Sequence, residues 1–346
     1  MRLGALLFGL GFIAFGQIQS LWQFYAALAV VAIGSSLGGF LTIHTAIAHW
    51  FHRKRARAMS IGSAGFASGA VIAPLVAWSI VEFSWRTTAV ISGILILAIG
   101  IPGAQFFKRS PEHYGMLPDG DTPPDADTAS TSGSAVIHPA VVGSNTDFTV
   151  REAMRDRSFW FIAIGHGTAL LVTATVPVHL VPFLVDQNGW SLAATSFVFP
   201  AIMVMQIAGQ MIGGVVGDRY TKRFVAAVAM FGHGGAFIIL AFSSTVPAVI
   251  AAVALHGLAW GARGPLMMAI RADYFGRRNL GMIAGWSNGI TLTGSVIGPL
   301  YAGLLFDRQG DYNFAFWTLG VATILCTVFF IAARKPPLPS RTIGQT

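Results

Sequence analysis

The chain is poor in sulfur and in charge. One cysteine, Cys326, stands among 346 residues, so no disulfide can close within the chain and no thiolate cluster can hold a metal. Only 10% of the residues are charged, against about 25% in a soluble domain, which excludes an ordinary water-facing surface. All 14 Asp and Glu fall in loops, in one polar segment or at the ends of apolar runs. That excludes a proton pump built on a carboxylate buried in a membrane. His44, His49 and His52 have the spacing of one box of a di-iron site, but the other histidines are scattered singly, so no metal or other cofactor is expected. Two G-x-S-x-G strings, at 34–38 and 285–289, lie in apolar helical runs rather than at the strand–turn–helix elbow that a hydrolase needs. No catalytic residue is assigned, and an enzyme is not expected.

What is abundant is apolar sequence, 54% of the chain. Long apolar runs predict an all-α, polytopic membrane protein of ten spans: 3–18, 21–48, 58–80, 87–107, 159–185, 191–216, 224–242, 246–270, 281–306 and 314–333. The net charge of +8 does not indicate nucleic acid, because the cations sit in short loops between spans. Nineteen of the 22 Lys and Arg fall on one side and only Arg86 and Arg308 on the other, with Arg263 inside a span. This asymmetry places both termini in the cytoplasm, and the protein is expected in a bacterial inner membrane.

Residues 108–148 are polar and rich in Pro, Asp, Ser and Thr, too poor in apolar surface to fold alone. They predict a disordered cytoplasmic linker. Thr149-Val150-Arg151-Glu152 then has capping-box spacing, which predicts a short basic helix over 150–157 on the membrane surface. The domains are accordingly 1–107, a four-span bundle; 108–157, the linker with its helix; and 158–346, a six-span bundle.

The chain repeats itself across the linker. Gly69-Ala70-Val71-Ile72-Ala73-Pro74-Leu75-Val76-Ala77 matches Gly294-Ser295-Val296-Ile297-Gly298-Pro299-Leu300-Tyr301-Ala302 at six of nine positions, and Trp50-Phe51-His52-Arg53-Lys54 echoes Tyr274-Phe275-Gly276-Arg277-Arg278. Both copies share one orientation, so the halves form a parallel repeat. Spans two to four correspond to eight to ten, and span one to span seven. Nothing in the first half corresponds to spans five and six.

Between spans six and seven runs Gly214-Val215-Val216-Gly217-Asp218-Arg219-Tyr220-Thr221-Lys222-Arg223. Its glycines allow two helices to approach, Asp218 suits a neighbouring helix N-terminus, and the cations hold a cytoplasmic loop. The string resembles the loop signature of the major facilitator superfamily. Arg109-Ser110-Pro111-Glu112-His113-Tyr114-Gly115, with Pro118-Asp119-Gly120, and Val178-His179-Leu180-Val181-Pro182 resemble its monocarboxylate-transporter-like members, near the oxalate/formate antiporter branch. The resemblance implies two helical bundles that rock about a midplane site by alternating access. It makes Gly214, Asp218, Arg219, Lys222 and Arg223 a conformational latch, with Asp218 meeting Arg271. It also implies that the first two helices of a twelve-helix fold would lie upstream of Met1, so that this chain alone inserts yet transports poorly.

One cation breaks the loop rule. Arg263 lies within span eight, where a charge is costly and marks a functional site by default. With no acid inside a span, its partner would be a bound anion, and carboxylate suits the guanidinium fork. The competing reading has Arg263 snorkelling to the cytoplasm. His256 and Trp260 share its helical face. Span five, broken by Pro177 and Pro182, carries His166, His179 and three threonines, and would line the cavity with span eight. The expected partner is a small organic anion, mono- or dicarboxylate, alongside the lipid bilayer; the driving ion is left open, a proton among the options. No nucleic acid is expected, and a monomer is. Export of drugs or other small molecules is the second reading. The third is a truncated remnant or membrane scaffold that transports nothing.

Overall fold

The computed structural model describes residues 1–108, 110–121 and 147–339. The greater part of the expected linker, 122–146, lies outside them. Lipid offers a backbone no hydrogen bonds, so an apolar run entering it must satisfy its own N–H and C=O groups, and a helix does this. Every long element described is a helix. The first half runs α1 (Arg2–Phe15), α2 (Leu21–Gly38), α3 (Phe40–Trp50), α4 (Arg55–Ala67), α5 (Gly69–Phe83) and α6 (Trp85–Phe106). The second runs α7 (Val150–Arg155), α8 (Arg157–Pro182), α9 (Leu192–Thr195), α10 (Val198–Arg219), α11 (Lys222–Phe242), α12 (Val246–Phe275), α13 (Leu280–Gln309), α14 (Asn313–Leu325) and α15 (Thr327–Ala332).

Eight segments among the described residues are long and apolar enough to cross a membrane. Two of the ten expected spans are not among these. The first, α1, has 14 residues, short of the ~20 a bilayer asks of a helix. The third is two helices, α4 and α5, meeting at Ser68. The sequence there, Gly62-Ser63-Ala64-Gly65-Phe66-Ala67-Ser68-Gly69, is rich in glycine and serine, which hold a helix weakly. The second span also breaks, at Gly39, whose φ of −90° and ψ of −151° are extended. A side chain at Gly39 would collide with the Ser35 carbonyl. The Thr42 hydroxyl donates to the freed Leu37 carbonyl at 3.1 Å.

The surface helix forms as its capping box dictates. The Thr149 hydroxyl accepts from the Glu152 N–H at 3.3 Å, and Glu152 accepts from the Thr149 N–H at 2.7 Å. It ends at Arg155 rather than 157, because Asp156 turns out of it and caps α8 through the Ser158 N–H at 2.7 Å.

The chain falls into two compact units. One holds Met1–His52 with Gly65–Asp125, and the other Arg53–Ala64 with Ala126–Thr346. The start of α4 therefore groups with the second unit. In the first, α1 packs on α2 and α6. In the second, α10 packs on α12, α8 on α13, and α11 on both α12 and α14. Small residues set these distances: Gly213 lies against the backbone of Ala262, and Gly257 and Gly261 against α10. Large apolar side chains such as Val204, Ile212, Leu292, Val296 and Leu304 point outward and exposed, as lipid-facing residues do.

Two apolar clusters fill the second unit. One gathers Val249, Ala252 and Val253 of α12 with Phe237 of α11 and Val176 of α8. The other gathers Leu266, Met267, Ile270 and Phe275 of α12 with Met230 of α11 and Ile162 of α8. The residues between them, 254–265 on α12 and 231–236 on α11, carry the polar side chains of interest.

Candidate functional site

Arg263 lies in that interval, 1% exposed. It is twelve residues, about 18 Å along the axis, from Phe275 at the end of α12 that bears the basic loops. Its Nε and Nη1 are buried with no hydrogen-bond partner, and among the described residues no carboxylate pairs with it. A buried guanidinium without a counter-ion is costly, so the position calls for a negative ligand. Arg263 is within electrostatic range of His166, His233, His256 and Arg271.

Arg271, two turns further on the same helix, is the second buried guanidinium. It donates to the Ser287 hydroxyl from Nη2 at 2.6 Å and from Nε at 3.1 Å, and to the Met267 carbonyl at 3.2 Å. Its Nη2 also reaches His166 Nδ1 at 3.3 Å. Arginine only donates, so His166 accepts at Nδ1 and keeps its proton on Nε2. Arg271 is thus held by neutral groups and keeps its charge. The expectation that Asp218 meets it is overturned: Arg271 belongs to the buried cluster on α8, α12 and α13.

His256 is buried one turn before Trp260, their rings 6.0 Å apart. Its Nδ1 lies 3.3 Å from Nδ1 of His233 on α11, a residue sequence reasoning passed over as one more scattered histidine. Gln210 of α10 brings a buried, unpartnered Oε1, and its backbone packs against Gly261. The signal that marks both is burial without a partner, which composition does not carry.

His179 stands apart from this cluster. Its Nε2 donates to the Pro299 carbonyl at 2.9 Å, so its Nδ1 is the acceptor for the Tyr312 hydroxyl at 3.2 Å. Burial, with Asp186 and Asp307 adding to it, pushes the Tyr312 phenol above its ordinary value, which keeps it a donor. His179 is a tie between α8 and α13. The three threonines of α8 also spend their hydroxyls at home: Thr168, Thr173 and Thr175 donate to the carbonyls of Ile164, Ala169 and Leu171.

Of the residues expected to form a latch, Asp218 and Gly214 meet the start of α4. Asp218 accepts from the Ala56 N–H at 2.8 Å and the Arg57 N–H at 3.3 Å, and pairs with Arg57 Nε at 3.4 Å. A carboxylate on a helix N-terminus satisfies unpaired N–H groups and the helix dipole together. Gly214 makes room, since a Cβ there would press on Ser60 and Arg57. Asp273, which the sequence did not single out, joins Arg55 and Lys222, the latter at 2.9 Å. Two of the expected members lie outside this network: Arg219 is exposed, and Arg223 donates to the Ala333 carbonyl at 3.0 Å, holding the end of α15.

Comparisons with known proteins agree with this architecture. The chain is 23% identical to the hexuronate transporter of Bacillus subtilis, covering 85% of the chain and 69% of that protein. It is 24% identical to monocarboxylate transporter 12 of Mus musculus, covering 99% of the chain and 72% of that protein. Its fold matches the human organic anion transporter MFSD10 (TETRAN) with a TM-score of 0.71 at 15% identity, over 95% of the chain and 76% of that structure. It matches the E. coli fucose:proton symporter FucP equally well, over 97% of the chain and 83% of that structure. The family model of the Major Facilitator Superfamily matches residues 1–180 and again 162–346. The chain is a multi-pass integral membrane protein of the Major Facilitator Superfamily, a family of transporters and not of enzymes.

Proposed function

We propose that the chain moves a small organic anion, a mono- or dicarboxylate, across the membrane by alternating access, and that Arg263 holds the substrate. The observation that carries this is the state of Arg263: buried, mid-helix, with two unpartnered nitrogens and, among the described residues, no carboxylate paired with it. A substrate carboxylate satisfies the fork in two parallel hydrogen bonds. Arg271 and His166 add positive potential and a donor beside it, and Trp260 with His256 forms the wall. The names of the two relatives by sequence, hexuronate and monocarboxylate transporters, are both names of carboxylate carriers, which supports the reading.

Asp218 and Asp273, with Arg55, Arg57 and Lys222, act in this reading as the latch of one conformation. In this reading, supported by the excess of loop cations, this end and both termini face the cytoplasm of a bacterial cell. The test is uptake by the purified chain in lipid vesicles. We expect slow uptake of D-glucuronate or L-lactate, and none of an uncharged analogue such as glucose. Uptake of glucose or of a lipophilic cation in place of the acids would refute the anion assignment.

A further inference from the structure

Beyond the place of His256 in the wall of the site, the His233–His256 pair has no role in this reading, and its geometry assigns it one. The two Nδ1 atoms lie 3.3 Å apart, with the rings 4.9 Å apart and nearly perpendicular. Both Nε2 atoms are buried without a partner. Two neutral imidazoles can share a hydrogen between Nδ1 atoms only in one way. One ring donates from Nδ1–H and has a bare Nε2; the other accepts at Nδ1 and carries its hydrogen on Nε2. The pair therefore keeps one open basic nitrogen in the interior. A proton from solvent that binds there forms one N–H bond and leaves an imidazolium hydrogen-bonded to a neutral imidazole, a charge shared across N–H···N.

The surroundings decide when that proton stays. Arg263 of α12 is the cation within electrostatic range of both rings, and Arg271 and His166 lie beyond it. α10 contributes the neutral Gln210, and α14 has no acidic or basic residue. Phe237 of α11 and Trp260 of α12 pack against the His256 ring. Among the described residues no carboxylate faces the pair. With the site empty, Arg263 repels an added proton. An anion on Arg263 cancels that repulsion, and by reciprocity the protonated pair binds the anion more tightly.

We propose that the His233–His256 pair is the proton carrier of this transporter, loaded when the organic anion occupies Arg263, so that anion and proton travel together. This rests on the anion reading above. It supplies a titratable site in a chain whose acids, among the described residues, lie in loops, in short helices or near the ends of the long ones.

The test is calorimetry on the purified full chain in detergent, titrated with D-glucuronate and with L-lactate in buffers of different ionisation enthalpy. This counts protons taken up per anion bound without requiring turnover. We expect uptake approaching one proton per anion near neutral pH, and affinity rising by up to about tenfold per pH unit lowered. In His233→Asn the carboxamide keeps a hydrogen bond at the Nδ1 position but cannot carry the proton. It should bind the anion with clearly reduced proton uptake and a flatter pH profile, since His256 keeps one basic nitrogen but loses the partner that shares the charge. A parallel measurement needs no variant: ¹⁵N-histidine spectra of the wild type should show one imidazole pair gaining a proton when the anion is added. Anion binding without proton uptake, or uptake unchanged in His233→Asn, overturns the proton carrier and leaves the anion reading standing. Absence of binding by both acids overturns both.

Discussion

The two units carry nine-residue strings identical at six positions, in α5 and in α13, and use them differently. On one face the copies behave alike: Ile72 and Ile297 are 55% and 54% exposed, and Leu75 and Leu300 are both 61% exposed, as lipid-facing residues are. The other face diverges. Gly294 lies so close to α8 that a Cβ would collide with the Gly167 carbonyl, whereas around Gly69 nothing comes within 4 Å of that position. Ala302 is fully buried and Ala77 exposed. The same holds one step out: α1 on α2 and α6 repeats α11 on α12 and α14, but among the described residues of the first unit nothing packs on α2 and α5 as α10 and α8 pack on α12 and α13. A small-residue face is thus a statement about a neighbour. Charge diverges too. In the register that aligns Trp50 with Tyr274, the counterparts of Arg263 and Arg271 are Gly39 and Ile47.

The sharpest way to break this asymmetry is at Arg263. Arg263→Ala and Arg263→Lys should each weaken binding of glucuronate or lactate by about a hundredfold or more, the usual cost of removing one partner of a buried charged pair. Lysine fails because it keeps the charge but loses the planar fork. A substitution in the first unit's interior, His44→Gln, should change affinity less than about twofold, since His44 bonds the Phe40 carbonyl of its own helix at 2.8 Å. Calorimetric titration of the three variants decides. Wild-type affinity in Arg263→Ala would erase the distinction between the units.

The next effect is on stability and tests the repeated string itself. Gly294→Ala should destabilise by about 1–3 kcal/mol, because α8 and α13 must part to admit the methyl group. Gly69→Ala should be neutral or stabilising by up to about 1 kcal/mol, since alanine favours the helix and meets nothing. Thermal unfolding in detergent, followed by tryptophan fluorescence, compares them. Equal losses in the two variants would mean that the Gly69 face is covered as the Gly294 face is.

Much of the fold was legible because membrane helices announce themselves by length and apolarity. The eight spans, the capping box at Thr149 and the family follow from strings that local chemistry determines. The first and third expected spans, one short and the other divided in two, show where that logic ends. The division at Ser68 lies in a run that is apolar but rich in glycine and serine, which hold a helix weakly. At the site, Arg263 was legible as a charge out of place, and Asp218 as a carboxylate before a turn. His233, Ser287, Gln210 and Asp273 were not, since their meaning lies in a neighbour from another helix. Arg271 was read as a loop cation because it sits near the end of its run. Only the packing of α8 and α13 shows that it turns inward.

A smaller effect separates ties from ligands on α8. Tyr312→Phe removes the donor to His179 and should cost about 1 kcal/mol without changing anion affinity. The phenol is held above its ordinary value, so its contribution is complete below about pH 10, the value of an unfolded tyrosine. It is lost as pH rises further towards the folded value. Wild-type protein should lose stability over that alkaline range by a margin absent from Tyr312→Phe. An affinity loss as large as that of Arg263→Ala would instead put His179 in the binding site.

The last and smallest effect is at the latch, where residues of the first half group with the second unit. Asp218→Asn leaves an oxygen able to accept one of the two N–H groups of α4 but removes the charge facing the helix N-terminus and Arg57. The loss should be about 0.3–1 kcal/mol. Gly213 already packs against Ala262, and Asp218 lies five residues, about 7.5 Å, further along α10, away from Arg263. The variant should therefore bind the anion normally. A shift of that size in a two-state equilibrium changes the populations of the conformations a few-fold, and the exchange rate of bound for free anion in vesicles should change by the same factor. A large loss of affinity at an unchanged exchange rate would place Asp218 in the binding site and leave the latch to Asp273, Arg55 and Lys222.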